Sequence, residues 1–120
     1  MKILIVDDNE TVRRGVLNLL APIAQWEVCG EARNGEEAIQ KAIDLEPDLV
    51  LMDMSMPGLS GLDAARAIRE RLPATRILIM SQHDPNLLSA RAREAGAMAC
   101  IDKSRLNSDL FPAIERVDET

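Results

Sequence analysis

The sequence predicts an α/β domain: a parallel sheet with helices on both faces. Three observations carry this. Short apolar runs without in-and-out alternation stand at Ile3-Leu4-Ile5-Val6, Leu49-Val50-Leu51-Met52 and Ile77-Leu78-Ile79-Met80, as strands buried on both faces do. Apolar residues spaced three or four apart fill the intervals between them, the period of a helix with one buried face. With 120 residues, the chain suits a single domain that hides roughly two-thirds of its unfolded surface, so its core needs no disulfide or metal.

The elements follow in order. The first strand runs into Asp7-Asp8, and Val12, Val16 and Leu20 mark the first helix. A weaker apolar stretch over 26–32 gives the second strand. Asn34 with Glu37 reads as a helix N-cap, Ile39 and Ile43 as that helix's buried face, and Pro47 as its end. The third strand ends at Asp53. Ser60 with Asp63 caps the third helix, whose Leu62, Ala65 and Ile68 step by three before Pro73 closes it. The fourth strand ends at Ser81. Asp84-Pro85 joins a cap to a proline suited to the first helical position, and Gly96 suits the left-handed residue past that helix. A weak fifth strand over 98–101 leads to Lys103, and Leu110 with Ile114 marks the fifth helix. Strict alternation of strands and helices implies right-handed crossovers. Residues 1–120 read as one domain, with 115–120 a polar tail or the start of a linker to a further domain.

Composition narrows the function. Fourteen basic residues face twenty acidic ones, a net charge of −6, which argues against direct binding to nucleic acid or an anionic membrane. The aromatic residues are Trp26 and Phe111 alone, too few for base stacking or an aromatic cage. Cys29 and Cys100 form no metal-binding spacing, and His83 is the single histidine. The amino terminus lacks a signal-peptide pattern and no apolar run approaches a membrane span, so the expected setting is the cytoplasm.

In open parallel sheets, ligands bind at the carboxyl ends of the strands. Those ends carry Asp7-Asp8, Asp53, Ser81 and Lys103; the second strand, ending near Glu31-Ala32, adds nothing comparable. Each has a structural explanation: Asp8-Asn9 as a helix cap, Asp53 as a turn acid before Pro57-Gly58, Ser81 as an ordinary strand end, Lys103 as a solvated lysine. Together they are harder to explain that way. Three gathered carboxylates repel; a hard divalent cation relieves them. A lysine and a hydroxyl then suit phosphoryl oxygens, and an aspartate can itself accept a phosphoryl group.

The segments 3–8, Leu51-Met52-Asp53-Met54-Ser55-Met56-Pro57-Gly58, Ile79-Met80-Ser81 and Ala95-Gly96-Ala97 with Lys103 resemble, in order and spacing, the CheY-like receiver domain of two-component response regulators. The resemblance implies a flavodoxin-like sheet of strand order 2-1-3-4-5, which puts Cys29 and Cys100 on opposite edges, roughly 19 Å apart at about 4.8 Å per strand and beyond disulfide reach. It implies Asp53 as phosphoacceptor and Asp7, Asp8, Asp53 and the Ser55 backbone carbonyl as ligands of Mg²⁺ or Mn²⁺, with Asp8 the more direct of the first two. Ser81 becomes the switch hydroxyl and Lys103 the phosphoryl contact. The partner implied is a histidine kinase or phosphotransfer protein, in a signalling switch rather than a metabolic enzyme. Self-pairing is implied through either the fourth-helix, fifth-strand and fifth-helix face or the first and last helices. Ser81-x-His83-Asp84 is similar to the branch joined to LuxR-type helix-turn-helix domains, which implies that any DNA contact would belong to an output domain and not to this one.

Three positions depart from the family pattern. Cys100 stands where the switch ring is usual, so output is expected to travel through backbone and helix shifts around 81–90. Gln82 replaces a small residue and is expected to slow phosphoryl exchange. Ser104 replaces proline after Lys103, where a cis peptide is expected although a non-proline cis bond costs about 3 kcal/mol. The enzyme alternative is a haloacid-dehalogenase-like phosphohydrolase using Asp7, from the loose pattern Asp7-x-Asn9-x-Thr11. A flavin module lacks its phosphate loop and rings, and no dinucleotide or P-loop motif occurs.

Overall fold

Along the three apolar runs, successive side chains go to opposite buried faces of the sheet. Ile3, Ile5, Leu49, Leu51, Leu78 and Met80 join one core with Val16, Leu20, Leu110, Ile114 and Val117. Leu4, Val6, Val50, Met52, Ile77 and Ile79 join the other with Ala38, Ala42, Leu62, Ala65, Ile68 and Ala92. The unbroken apolar runs therefore hide a strict period of two, with both faces dry.

The structure is a computed structural model that describes residues 1–82 and 85–119, with the backbone alone at 85–89. The order is β1 (Lys2–Val6), α1 (Glu10–Leu20), β2 (Glu27–Ala32), α2 (Gly35–Leu45), β3 (Leu49–Asp53), α3 (Gly61–Arg71), β4 (Arg76–Ser81), α4 (Pro85–Glu94), β5 (Ala99–Asp102), one 3-10 turn (Lys103–Arg105) and α5 (Leu106–Glu119). All paired strands are parallel, in the order β2-β1-β3-β4-β5, as the resemblance implies. The helices α1 and α5 cover one face, and α2, α3 and α4 the other.

Capping follows the expected side chains. Asn9 accepts from Thr11 and Val12 N–H, Asn34 from Glu37 N–H, and Ser60 from Asp63 N–H; each satisfies orphan donors of a first turn. Asn9 thus caps α1, leaving Asp8 for another role. The expected Asp84 cap, like His83, lies outside the described residues. Gly96 is left-handed at φ 95°, as expected. Cys29 and Cys100 lie on the two edge strands, half-buried against the same apolar core.

The helix α5 carries chain 115–119 to Glu119 and buries Val117. The two aromatic rings meet there: Trp26 and Phe111 centroids are 5.0 Å apart, and Trp26 Nε1 donates to Asp118 Oδ2 at 3.2 Å. Trp26, just before β2, thus anchors α5 through Phe111 and Asp118. Among the described residues, no helix is long and apolar enough to cross a membrane.

Candidate phosphoacceptor site

Four strand ends deliver the site. Asp7 follows β1 and extends its ladder, its N–H donating to Ala32 O at 3.1 Å. Asp53 is the last residue of β3, flanked by β1 and β4. Ser81 closes β4 and is buried. After β5, Lys103 opens the 3-10 turn, for which Asp102 is the cap, its Oδ1 accepting from Ser104 N–H at 2.9 Å and Ser104 Oγ at 2.8 Å. Those bonds hold the Asp102 carboxyl below its ordinary pKa, the backbone bond most.

The turn directs Lys103 inward. Its Nζ stands 2.8 Å from Asp7 Oδ2 and 2.8 Å from Asp53 Oδ1, while Asp7 Oδ1 accepts from Asn9 N–H at 2.9 Å and Asp53 Oδ1 from Ser55 N–H at 3.3 Å. A cavity of about 270 Å³ opens over these groups. All the predicted residues line it: Asp7, Asp8, Asp53, Ser55, Ser81 and Lys103, joined by Asn9, Met54 and Gln82. The lysine is an ion-pair partner rather than a solvated side chain, and the serine a buried cavity wall.

One expectation is corrected. Among the described residues no peptide bond is cis, so Lys103–Ser104 is trans. The Asp102-capped turn brings Nζ to both carboxylates in the trans form, which a non-proline bond favours by about 3 kcal/mol.

The electrostatics follow from burial. Asp7 and Asp53 are 0% and 2% exposed. Burial, then the charge of Asp7, pushes the Asp53 pKa up from 3.8 to about 6 against the pull of Lys103 and the Ser55 N–H. For Lys103, burial works downward, but its hydrogen bonds to Asp53 and Asp7 and their charges outweigh it, and its pKa is raised. One ammonium faces three carboxylates, so negative charge remains in excess.

That excess fits a divalent cation. One oxygen each of Asp7, Asp8 and Asp53 lie within 4.8 Å of one another, and Asp53 Oδ2 is buried without a hydrogen bond. Hard oxygen donors of this kind suit Mg²⁺ or Mn²⁺, and a buried acceptor without a donor marks a place for such a partner.

Two contributors escaped the sequence reading. Gly61 opens α3 directly beneath the site: a Cβ there would stand 1.9 Å from the Asp53 carbonyl oxygen, and its N–H donates to Met54 O at 3.0 Å. The signal was a glycine beside the Ser60 cap, eight residues after Asp53. Arg13, on α1, donates to the Asp7 carbonyl and to Glu31; a lone arginine in a helical stretch gives no sign of this.

Comparison with known proteins agrees with the geometry. The family model described as "Response regulator receiver domain" matches residues 3–115. The chain is 36% identical over 117 residues to response regulator GacA of Pseudomonas syringae pv. syringae, covering 98% of this chain and 55% of that protein. It is 38% identical over 117 residues to response regulator UvrY of Escherichia coli K12, covering 98% and 54%. A crystal structure of a LuxR-family two-component response regulator from Aurantimonas sp. SI85-9A1 superposes with a TM-score of 0.91 at 36% identity, covering 97% of this chain and 83% of that one. The chain spans about half the length of the curated relatives it matches. With the strand order, the acid cluster and the lysine bridge in place, these matches give the family: the chain belongs to the receiver domains of two-component response regulators.

Proposed function

We propose that Asp53 is the phosphoacceptor of a signalling switch. The supporting observation is the buried Asp53 carboxylate, held by Lys103 and Ser55 on one oxygen and without a hydrogen bond on the other. The donor is a phosphohistidine on a histidine kinase or phosphotransfer protein, or a small acyl phosphate. An Asp53 oxygen attacks phosphorus, and the bond from phosphorus to the leaving nitrogen or oxygen breaks with its electron pair going to that atom. Hydrolysis later returns the carboxylate and inorganic phosphate. Positioning and charge neutralisation do most of the catalytic work in such transfers. Lys103 and Ser81 line the space where the phosphoryl oxygens arrive, one as a cation and the other as a hydroxyl.

The residues that would hold Mg²⁺ or Mn²⁺ are Asp7, Asp8, Asp53 and the Ser55 carbonyl; bound there, the ion supplies the positive charge that phosphoryl transfer needs. The phosphohydrolase alternative places the nucleophile on Asp7, but Asp7 Oδ1 is engaged by Asn9 and Oδ2 faces Lys103, and the family membership favours Asp53.

The remaining features extend the reading. Residues 1–120 form one receiver domain, with α5 running through 115–119. Any DNA contact would belong to an output domain such as a LuxR-type helix-turn-helix, as this domain is acidic. The setting is cytoplasmic, and homodimers form through one of the two helical faces named above. Cys100 cannot act as an aromatic switch, so the signal leaves through backbone shifts around 81–90; amide shifts confined to the Asp53 pocket on phosphorylation would refute this. Gln82, exposed at the cavity, slows phosphoryl exchange, and unchanged rates in Gln82→Ala would refute that.

The test is a phosphorylation time course with acetyl phosphate. Wild type with Mg²⁺ acquires a phosphoryl group that later decays, whereas Asp53→Asn and wild type in EDTA do not. Equal labelling of Asp53→Asn would refute the assignment.

A further inference from the structure

Arg13 is a buried charge that phosphoryl transfer leaves without a task. Its side chain is 11% exposed, on the sheet-facing side of α1. Arginine is seldom buried without partners, and here the partners are specific. Nη1 donates to the Asp7 carbonyl at 2.6 Å, and Nε meets Glu31 Oε1 at 3.1 Å. Lys41 Nζ donates to the Glu31 carbonyl in turn, which ties α2 to the same strand end.

We propose that Arg13 is a positioning residue for divalent-cation binding, acting through the peptide between Asp7 and Asp8; this rests on the cation site proposed above. The Asp7 carbonyl and the Asp8 N–H belong to one rigid plane. The Asp7 N–H is already fixed by Ala32 O, and its Oδ1 by Asn9 N–H. Arg13 fixes the carbonyl, so the plane cannot turn. Asp8 is the exposed acid of the three, and its side chain departs from the residue whose N–H shares that plane. Glu31 holds the guanidinium from its other side, keeping Nη1 on the carbonyl. Groups behind a ligand often set its aim in this way.

Charge and positioning predict opposite signs. As a nearby positive charge alone, Arg13 would weaken cation binding, and its removal would tighten it. As a positioning residue, it strengthens binding. Arg13→Lys keeps the charge but loses the fork that spans Asp7 and Glu31, so it isolates the geometric effect.

The experiment is calorimetric titration of the 120-residue chain with MgCl₂ alone, with folding of each variant checked in EDTA by urea melts and amide spectra. Arg13→Lys binds Mg²⁺ about tenfold more weakly than wild type at unchanged stoichiometry. Arg14→Lys, on the exposed Arg14–Glu10 pair, binds like wild type. A merely structural role would lower the urea midpoint and leave the affinity of the folded fraction alone. Folded Arg13→Lys with equal or tighter affinity, or an equal loss in Arg14→Lys, overturns the inference. Should Arg13→Lys not fold, Arg13→Gln, whose loss of positive charge alone would tighten binding, still binds several-fold more weakly, and equal or tighter affinity there overturns the inference. Wild type that does not bind Mg²⁺ overturns the cation site as well.

Discussion

Replacing Asp53 by asparagine stabilises the metal-free domain at neutral pH. The side chain is 2% exposed, and its pKa moves from 3.8 to about 6, chiefly through burial and then the charge of Asp7. The folded-state value lies above the unfolded one, so the folded chain holds this proton more tightly. The penalty for ionising Asp53 is absent below about pH 4, grows between 4 and 6, and is complete above about 6. At 1.36 kcal/mol per pH unit it reaches about 3 kcal/mol at pH 7.5. Lys103, its pKa raised by Asp53 and Asp7, stays charged in both states over this range and adds no slope. Asparagine keeps the size and an acceptor for the Ser55 N–H, and the lost attraction of Lys103 is already contained in the shifted value. The expected gain is therefore about 2–3 kcal/mol, or about 4 °C in Tm per kcal/mol for a domain of this size. Urea unfolding of both proteins in EDTA, at pH 7.5 and 5.0, measures it. The gain is largest at pH 7.5 and shrinks at pH 5.0, where wild type takes up the proton. A variant that is no more stable at pH 7.5, or a gain independent of pH, refutes the reasoning.

Removing the lysine does the reverse. Lys103→Met leaves Asp7 and Asp53 buried beside each other without their shared ammonium. Stability at pH 7.5 falls by about 3 kcal/mol, and by less at pH 5.0, as the same urea series will show. Gly61→Ala drives a methyl against the Asp53 carbonyl; the expected loss is at least about 1–3 kcal/mol, with several-fold slower labelling by acetyl phosphate. Wild-type stability and labelling in this variant would show that α3 does not need to approach Asp53 so closely.

The site was legible wherever chain direction alone decides position. Asp7, Asp53 and Ser81 each follow an apolar run, and a parallel sheet brings such ends together whatever the helices do. Lys103 was found by the same rule, but its turn was not: the trans bond depends on Asp102 capping the next residue, a contact that spacing does not reveal. Gly61 carries no positive φ and no turn pattern; its need for a bare Cα comes from α3 pressing on β3, a tertiary fact. Arg13 was hidden for a similar reason. In sequence it resembles the solvated Arg14 beside it, and only the direction of α1 over the sheet gives one residue the Asp7 carbonyl and the other solvent. Glu31, passed over at the end of β2, matters solely as the partner of that arginine.

The most direct measurement traps the phosphoryl group where it forms. Wild type treated with acetyl phosphate and Mg²⁺ is reduced with borohydride, which converts a phosphorylated aspartate to homoserine, and the peptides are sequenced by mass spectrometry. Homoserine at position 53, lost when the acetyl phosphate or the metal is left out, is the predicted result. Homoserine at position 7, or at neither position under conditions that label the protein, contradicts the account.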